Sequence, residues 1–342
     1  MIPSTETLSA FRSTQTSFMA PSVVEKKPFI AQSVIEINSP KYFYTCAAGG
    51  VLACGLTHYL MTPLDMLKCR MQVNKSLYSS VFDGFRKVAA AEGVKGLYLG
   101  GMPTLIGYSL QGMGKYGFYE YFKYLYANLA GEEAAAKYKT VLFLSASASA
   151  EFIADTMLCP MEALKVKMQT SATPFATSFL GGLRKINAAE GINGFYKGIT
   201  PLWLRQIPYT MVKFATFEKT VEAIYKHLLS KPKSEYSKTE QLGVTAAAGY
   251  FAGIFCAIVS HPADTLVSKL NNVAKTEGEG TGALAMRILK DLGFSGVWAG
   301  LTPRIFMIGT LTALQWFIYD SFKVQTGLPT TGGAAAPKKE KE

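Results

Sequence analysis

The chain has 342 residues, 49% of them hydrophobic and only 17% charged, with a formal net charge of +11. Together with a positive mean hydropathy, that balance argues against a pair of soluble domains and for a membrane protein. The basic residues are spread among apolar spans instead of gathered on one face or tail, which sets nucleic acid aside as a partner. The five cysteines (Cys46, Cys54, Cys69, Cys159, Cys256) lie far apart with no C-x-x-C or Cys/His cluster, so neither a disulfide framework nor a metal site is expected.

Residues 1–40 are polar, rich in Ser and Thr, and carry three basic and three acidic residues. A transit peptide is basic and poor in acids, so a disordered extension is expected here. The first apolar stretch, 42–62, contains His58 and runs into Pro63-Leu64-Asp65-Met66-Leu67-Lys68. An amphipathic segment near 80–91 follows, then Glu92-Gly93, Gly96-Leu97-Tyr98 and Gly100. The second stretch, 101–122, closes on Tyr119-Glu120, with Lys123 behind it.

The same order recurs twice. The third stretch, 140–161, holds Glu151 and Asp155 and runs into Pro160-Met161-Glu162-Ala163-Leu164-Lys165. After an amphipathic segment near 178–189 come Glu190-Gly191, Gly194-Phe195-Tyr196 and Gly198, then a fourth stretch, 199–217, ending at Phe217-Glu218. The fifth, 242–261, runs into Pro262-Ala263-Asp264-Thr265-Leu266-Val267. An amphipathic segment near 282–291 leads to Leu292-Gly293, Gly296-Val297-Trp298 and Gly300, and the sixth stretch, 301–319, ends at Tyr319-Asp320 with Lys323 behind. The tail from 326 to 342, with Thr, Gly, Ala, Lys and Glu, reads as disordered.

Each stretch is about the 20 residues that cross a bilayer, and most are interrupted by Gly or ionisable residues, which marks a transport bundle better than a set of anchors. The prolines are 97 and 102 residues apart. Three markers recurring in order three times define an internal repeat. The expected fold is an all-α membrane protein, a six-helix bundle of three pseudo-symmetric repeats at 41–130, 138–228 and 238–325. One rival signal fails: Gly112-Met113-Gly114-Lys115-Tyr116-Gly117 fits a dinucleotide-binding pattern, but no strand precedes it and close helix packing explains it better. No nucleophile–base pair of an enzyme is legible.

These motifs resemble those of the mitochondrial carrier family over about residues 41–325. The proline motif, Pro-x-[Asp/Glu]-x-x-[Lys/Arg], is complete twice and lacks only its base in the third copy. The resemblance implies one central substrate site between two gates that open in turn. At the matrix gate it pairs Asp65 with Lys165 and Asp264 with Lys68; Glu162 would meet position 267, which is Val267. Gln72, Gln169 and Asn271 stand where a glutamine can brace these pairs. The cytoplasmic gate would use Glu120, Lys123, Glu218, Asp320 and Lys323, with Val221 in place of a base. Lipid of the inner membrane, cardiolipin above all, is an expected partner. Oligomeric state is not set by the sequence, a monomer being favoured.

Orientation follows from loop charge. The loops 66–100, 163–198 and 265–300 carry a net +9, against +2 for 123–139 and 218–241. The positive-inside rule therefore puts the repeat loops in the matrix and the termini in the intermembrane space.

Aligning the even helices on their terminal acids brings out the contact positions. Gly107-Tyr108, Arg205-Gln206 and Met307-Ile308 share one level; Gln111, Tyr209 and Leu311 the next; Lys115, Lys213 and Gln315 the third. Steps of four residues keep them on roughly one helix face. A lysine or arginine at the bilayer centre costs about 2.5–3.5 kcal/mol on insertion scales, so these cations should have a client, and an anion rich in acceptor oxygens suits them. The competing reading is that Lys115 and Lys213 snorkel to the surface.

On the odd helices, His58 lies seven residues before Asp65, while Asp155 and Glu151 precede Glu162. An imidazole and two carboxylates within apolar spans are the parts of a proton relay. The wording around the motifs, such as Ala150-Glu151-Phe152-Ile153-Ala154-Asp155 and Ser260-His261-Pro262-Ala263-Asp264, is similar to the branch of the family that imports inorganic phosphate with a proton, or against hydroxide. A carrier of another small anion such as a dicarboxylate, or a non-transporting scaffold on this fold, stands as the alternative.

Overall fold

A computed structural model describes residues 35–73, 77–171, 175–176, 178–229, 231–270, 281–298 and 301–332. Six long helices form the bundle: α1 (Pro40–Val73), α3 (Gly101–Ala130), α5 (Lys139–Thr170), α8 (Ile199–Ala223), α9 (Lys238–Leu270) and α11 (Leu301–Gln325). They pack as a closed ring in the order α1, α3, α5, α8, α9, α11 and back to α1. Short helices lie between them. These are α2 (Val81–Leu97) on α1, α4 (Glu132–Lys137) beside α3 and α5, α6 (Phe179–Glu190) and α7 (Asn193–Tyr196) on α5, and α10 (Thr281–Val297) on α9.

The three odd helices run on through Pro63, Pro160 and Pro262 and end several residues beyond them. Proline removes one hydrogen bond and crowds the preceding turn, so it bends a helix more readily than it stops one held by tertiary packing. The spans are accordingly longer than the apolar stretches alone. By length and composition only Lys139–Thr170 and Lys238–Pro262 among the described residues are apolar enough to cross a membrane. The other four long helices fall below that measure.

The local signals of the repeat have visible physical causes. Ser80 and Ser178 cap α2 and α6, each accepting from a backbone N–H of the first turn. The repeated glycine, Gly93, Gly191 and Gly293, has φ of +68°, +62° and +61° in turn, a region closed to most side chains. The glutamate before it ties the short helix to the odd helix: Arg70 holds Glu92 at 2.7 Å, and Lys167 pairs with Glu190. Hydrogen bonds from the Arg70 guanidinium hold the Glu92 carboxyl below its ordinary pKa.

Neighbouring helices meet closely at glycines. A Cβ on Gly50 would lie 2.1 Å from the Gly112 carbonyl oxygen, and one on Gly253 would lie 2.7 Å from the Gly309 Cα. Backbones at that distance leave no room for any side chain.

The end of the bundle opposite the prolines is filled by a core of aromatic rings. Trp316 stacks on Phe217 with centroids 3.6 Å apart, and Tyr116, Tyr119, Phe214 and Tyr319 surround the pair. The chain after α11 packs here too. Residues 326–332, expected to be disordered, stay on the bundle, with Leu328, Thr330 and Thr331 buried. The rest of that tail, and the N-terminal extension up to residue 34, lie outside the described residues.

Candidate functional site

A cavity of about 180 Å³ lies on the bundle axis between the aromatic core and the prolines. The even helices line it with every residue that the three-level alignment picked out except Gly107, which packs against Leu158 and Met161 of α5. Arg205 and Gln206 come from α8, Gln111 and Lys115 from α3, and Lys213 and Gln315 sit at the aromatic end. Lys115 and Lys213 are 4% and 2% exposed, so neither snorkels to the surface. Lys213 donates to the Gln315 side-chain oxygen.

Arg304 also lines the cavity and donates to Ser260 Oγ at 3.0 Å. It lies sixteen residues before Asp320, one turn beyond the levels that alignment considered. Its charge inside an apolar span was the signal available.

The polar groups of the odd helices divide between cavity and wall. His58 faces the cavity, stacked on Tyr108 with centroids 3.7 Å apart, its Nδ1 2.9 Å from the Cys54 carbonyl oxygen. Glu151 and Asp155 sit in the wall between α5 and α3, fully buried. One amide clamps both: Gln111 Nε2 donates to Glu151 Oε1 and to Asp155 Oδ1, each at 2.9 Å. Lys115 Nζ lies 3.0 Å from Glu151 Oε2. The cluster joins directly to the cavity, since Gln111 and Lys115 belong to both.

At the proline end, Lys165 donates to Asp65 at 2.7 Å, lies 3.4 Å from Glu162 and sits over the Tyr108 ring. Glu162 thus meets the base on its own helix. Lys68 is exposed and lines the cavity mouth. The side chains of Gln72 and Asp264, and all of Asn271, lie outside the described residues. Gln169 does not brace an ion pair: it donates to the Leu99 carbonyl at 3.1 Å and packs beneath Gly100. Its amide is held by a loop end whose carbonyl has no helix partner.

At the opposite end, Lys123 bridges Glu120 at 3.3 Å and Glu218 at 3.2 Å, and Tyr42 also donates to Glu120. Asp320 and Lys323 depart from the expected ring. Asp320 accepts from Thr245 and Thr331, and Lys323 donates to Thr331. Among the described residues no three His, Cys, Asp or Glu side chains gather as a metal would need.

A threefold ring of proline-kinked helices around one polar cavity is the architecture of a membrane carrier, and the sequence comparisons agree. The family profile described as "Mitochondrial carrier protein" matches residues 39–129, 137–228 and 238–327, and the chain belongs to that family. Within it, the chain is 59% identical over 300 residues to "Phosphate carrier protein, mitochondrial" of Caenorhabditis elegans, covering 87% of this chain and 86% of the relative. It is 54% identical over 294 residues to human "Solute carrier family 25 member 3", covering 86% and 79%. Against "Mitochondrial phosphate carrier protein 3, mitochondrial" of Arabidopsis thaliana the identity is 53% over 321 residues, covering 92% and 84%.

Proposed function

We propose that the chain is a carrier, not an enzyme, that moves inorganic phosphate into the matrix across the mitochondrial inner membrane, together with a proton. The observation that carries this is charge: Lys68, Lys115, Arg205, Lys213 and Arg304 line the cavity, with Asp65 as the one acidic lining residue among those described. A small oxyanion with several acceptor oxygens satisfies such a set by charge-assisted hydrogen bonds. The names of the relatives, phosphate carriers from an animal and a plant, support the same substrate.

Proton coupling has a physical motive. Each negative charge moved against a negative-inside potential costs about 2.3 kcal/mol per 100 mV, and a proton carried along offsets that. His58 in the cavity and the Glu151–Asp155 pair behind it are suited to the task. Two carboxylates clamped by one amide can take up and release a proton without parting the helices. The excess positive charge of the loops at the proline end supports a matrix location for that end. Asp65, Lys165, Lys68 and Asp264 then belong to a matrix gate, and Glu120, Lys123 and Glu218 to a cytoplasmic one. The conformation described here, closed by aromatics at one end, would be the one facing the matrix. The family implies cardiolipin around the bundle.

Uptake by the purified protein in liposomes tests the proposal. Phosphate should be taken up while malate and ADP are not, and Arg205→Ala should abolish uptake in folded protein. His58→Ala and Glu151→Gln should lose uptake driven by an imposed pH gradient but largely keep phosphate/phosphate exchange, which needs no net proton movement. Gradient-driven uptake at the unmutated level in both variants would refute the relay.

A further inference from the structure

The gate at the aromatic end is built from one repeated step. Lys123, three residues beyond the acid of α3, reaches across to Glu218, the acid of α8. The same step from α8 would carry a base at position 221 to Asp320, and from α11 it would carry Lys323 to Glu120. Position 221 is a valine, 1% exposed, so Asp320 has no base to meet although its own exposure is 0%. A carboxylate buried that fully must find donors.

It finds them in the tail. Gly327, at φ +82°, ends α11. Leu328 N–H returns to the Lys323 carbonyl at 2.8 Å and Gly327 N–H to that of Val324 at 3.1 Å. This Schellman turn sends the chain back over the end of the bundle. Leu328 enters the aromatic core, 2% exposed. Thr331 then gives Asp320 both its backbone N–H, at 3.0 and 2.9 Å from the two oxygens, and its hydroxyl at 2.7 Å. The same hydroxyl accepts from Lys323 at 3.0 Å.

Two further contacts seat the segment. Lys233, in the loop between α8 and α9, donates to the carbonyls of Thr330 and Gly332. Gly332 packs so closely that a Cβ on it would lie 2.9 Å from the Val221 side chain. The tail therefore lies against position 221, where the repeat would place a base.

We propose that residues 328–332 are a working part of this gate, with Thr331 as a positioning residue that replaces the missing base of α8 and links Asp320 to Lys323. Thr331 thus joins two members of the ring, Asp320 and Lys323, both on α11. For the cavity to open at this end, Asp320 and the tail must separate, so the tail's hold sets how long the gate stays shut. This rests on the reading of the protein as an alternating-access carrier.

The test reads gate opening directly. A cysteine replaces Leu311 on the cavity wall in protein whose five native cysteines are replaced by serine. Labelling by a membrane-impermeant maleimide is then timed from each face of vesicles of one orientation. Four forms are compared: a chain ending at Gly332, a chain ending at Gly327, Thr331→Val, and Thr331→Val combined with Val221→Lys.

The chain ending at Gly327 and Thr331→Val should label faster from the tail side by on the order of tenfold, the worth of one hydrogen bond to a charged group. Val221→Lys should bring the rate back down in the Thr331→Val protein, a rescue that a purely structural tail would not give. Equal tail-side labelling in all four forms, or no rescue by the lysine, overturns the proposal. Should the shorter chain fail to fold, Thr331→Val and its rescue decide alone. Labelling needs no substrate, so failure of the phosphate reading would appear separately, as absent phosphate uptake by the full chain.

Discussion

At the proline end Asp65–Lys165 is the one ion pair between long helices among the described residues, and the Asp65 side chain is 37% exposed. At the opposite end Glu120, Glu218 and Asp320 are all buried, each is bonded more than once or shares a lysine, and a stack of aromatic rings lies beneath them. Both ends carry acids and bases in the same repeated register, yet only one is sealed. The difference shows that motif residues alone do not make a barrier. Burial converts a weak exposed pair into a strong constraint, because a buried charge left without its partner has no water to replace it.

Mutations should separate the two ends by size of effect. Lys123→Ala leaves Glu120 and Glu218 buried without their shared cation and should destabilise the purified protein by about 3–5 kcal/mol, read from thermal unfolding in detergent. A loss no larger than that of a surface pair would erase the contrast. Asp65→Asn should cost far less, about 1 kcal/mol or below, because Lys165 keeps Glu162 at 3.4 Å. It should also ease labelling of the cavity from the proline end, and an effect as large as that of Lys123→Ala would mean that this end too is sealed.

The smallest effect belongs to Arg70→Ala, about 0.2–1 kcal/mol, as for an exposed pair. The folded Glu92 carboxyl has a lowered pKa owing to Arg70, so the stability it contributes is present above the unfolded value of about 4.3. It is lost as pH falls through the folded value. The Arg70→Ala penalty should therefore be seen at neutral pH and vanish in acid, and a penalty unchanged down to pH 3 would assign it to packing alone.

The repeat was legible because register is a geometric quantity. Three prolines, three left-handed glycines and three terminal acids at matched spacing are enough to bring six polar groups to one cavity. What escaped depended on contacts between distant parts of the chain. Gln169 stands where a brace is expected, but the Leu99 carbonyl, 70 residues away, claims its amide. Arg304 was invisible to an alignment confined to three levels. Residues 326–332 pack on the bundle although Thr, Gly and Ala predict disorder by composition, because their anchor is an acid inherited from the repeat. The valine at position 221 was the clue: Asp320, with no base in register, is answered by Thr331.

The glycine contacts set where the bundle is able to shear. Between α1 and α3, and again between α9 and α11, backbone lies against backbone at Gly50–Gly112 and Gly253–Gly309. Sliding there drives main-chain atoms into one another, and no rotamer change can relieve it. The middle repeat has no such seam, for neither α5 nor α8 contains a single glycine. These two helices meet through side chains, with Trp203 stacked on Phe152 at 4.3 Å, and side chains can exchange one packing for another. The α5 contact of α8, the helix that carries Arg205, Gln206 and Lys213, is thus of the kind that can repack. A helix rich in cavity chemistry meets its repeat partner without a glycine seam.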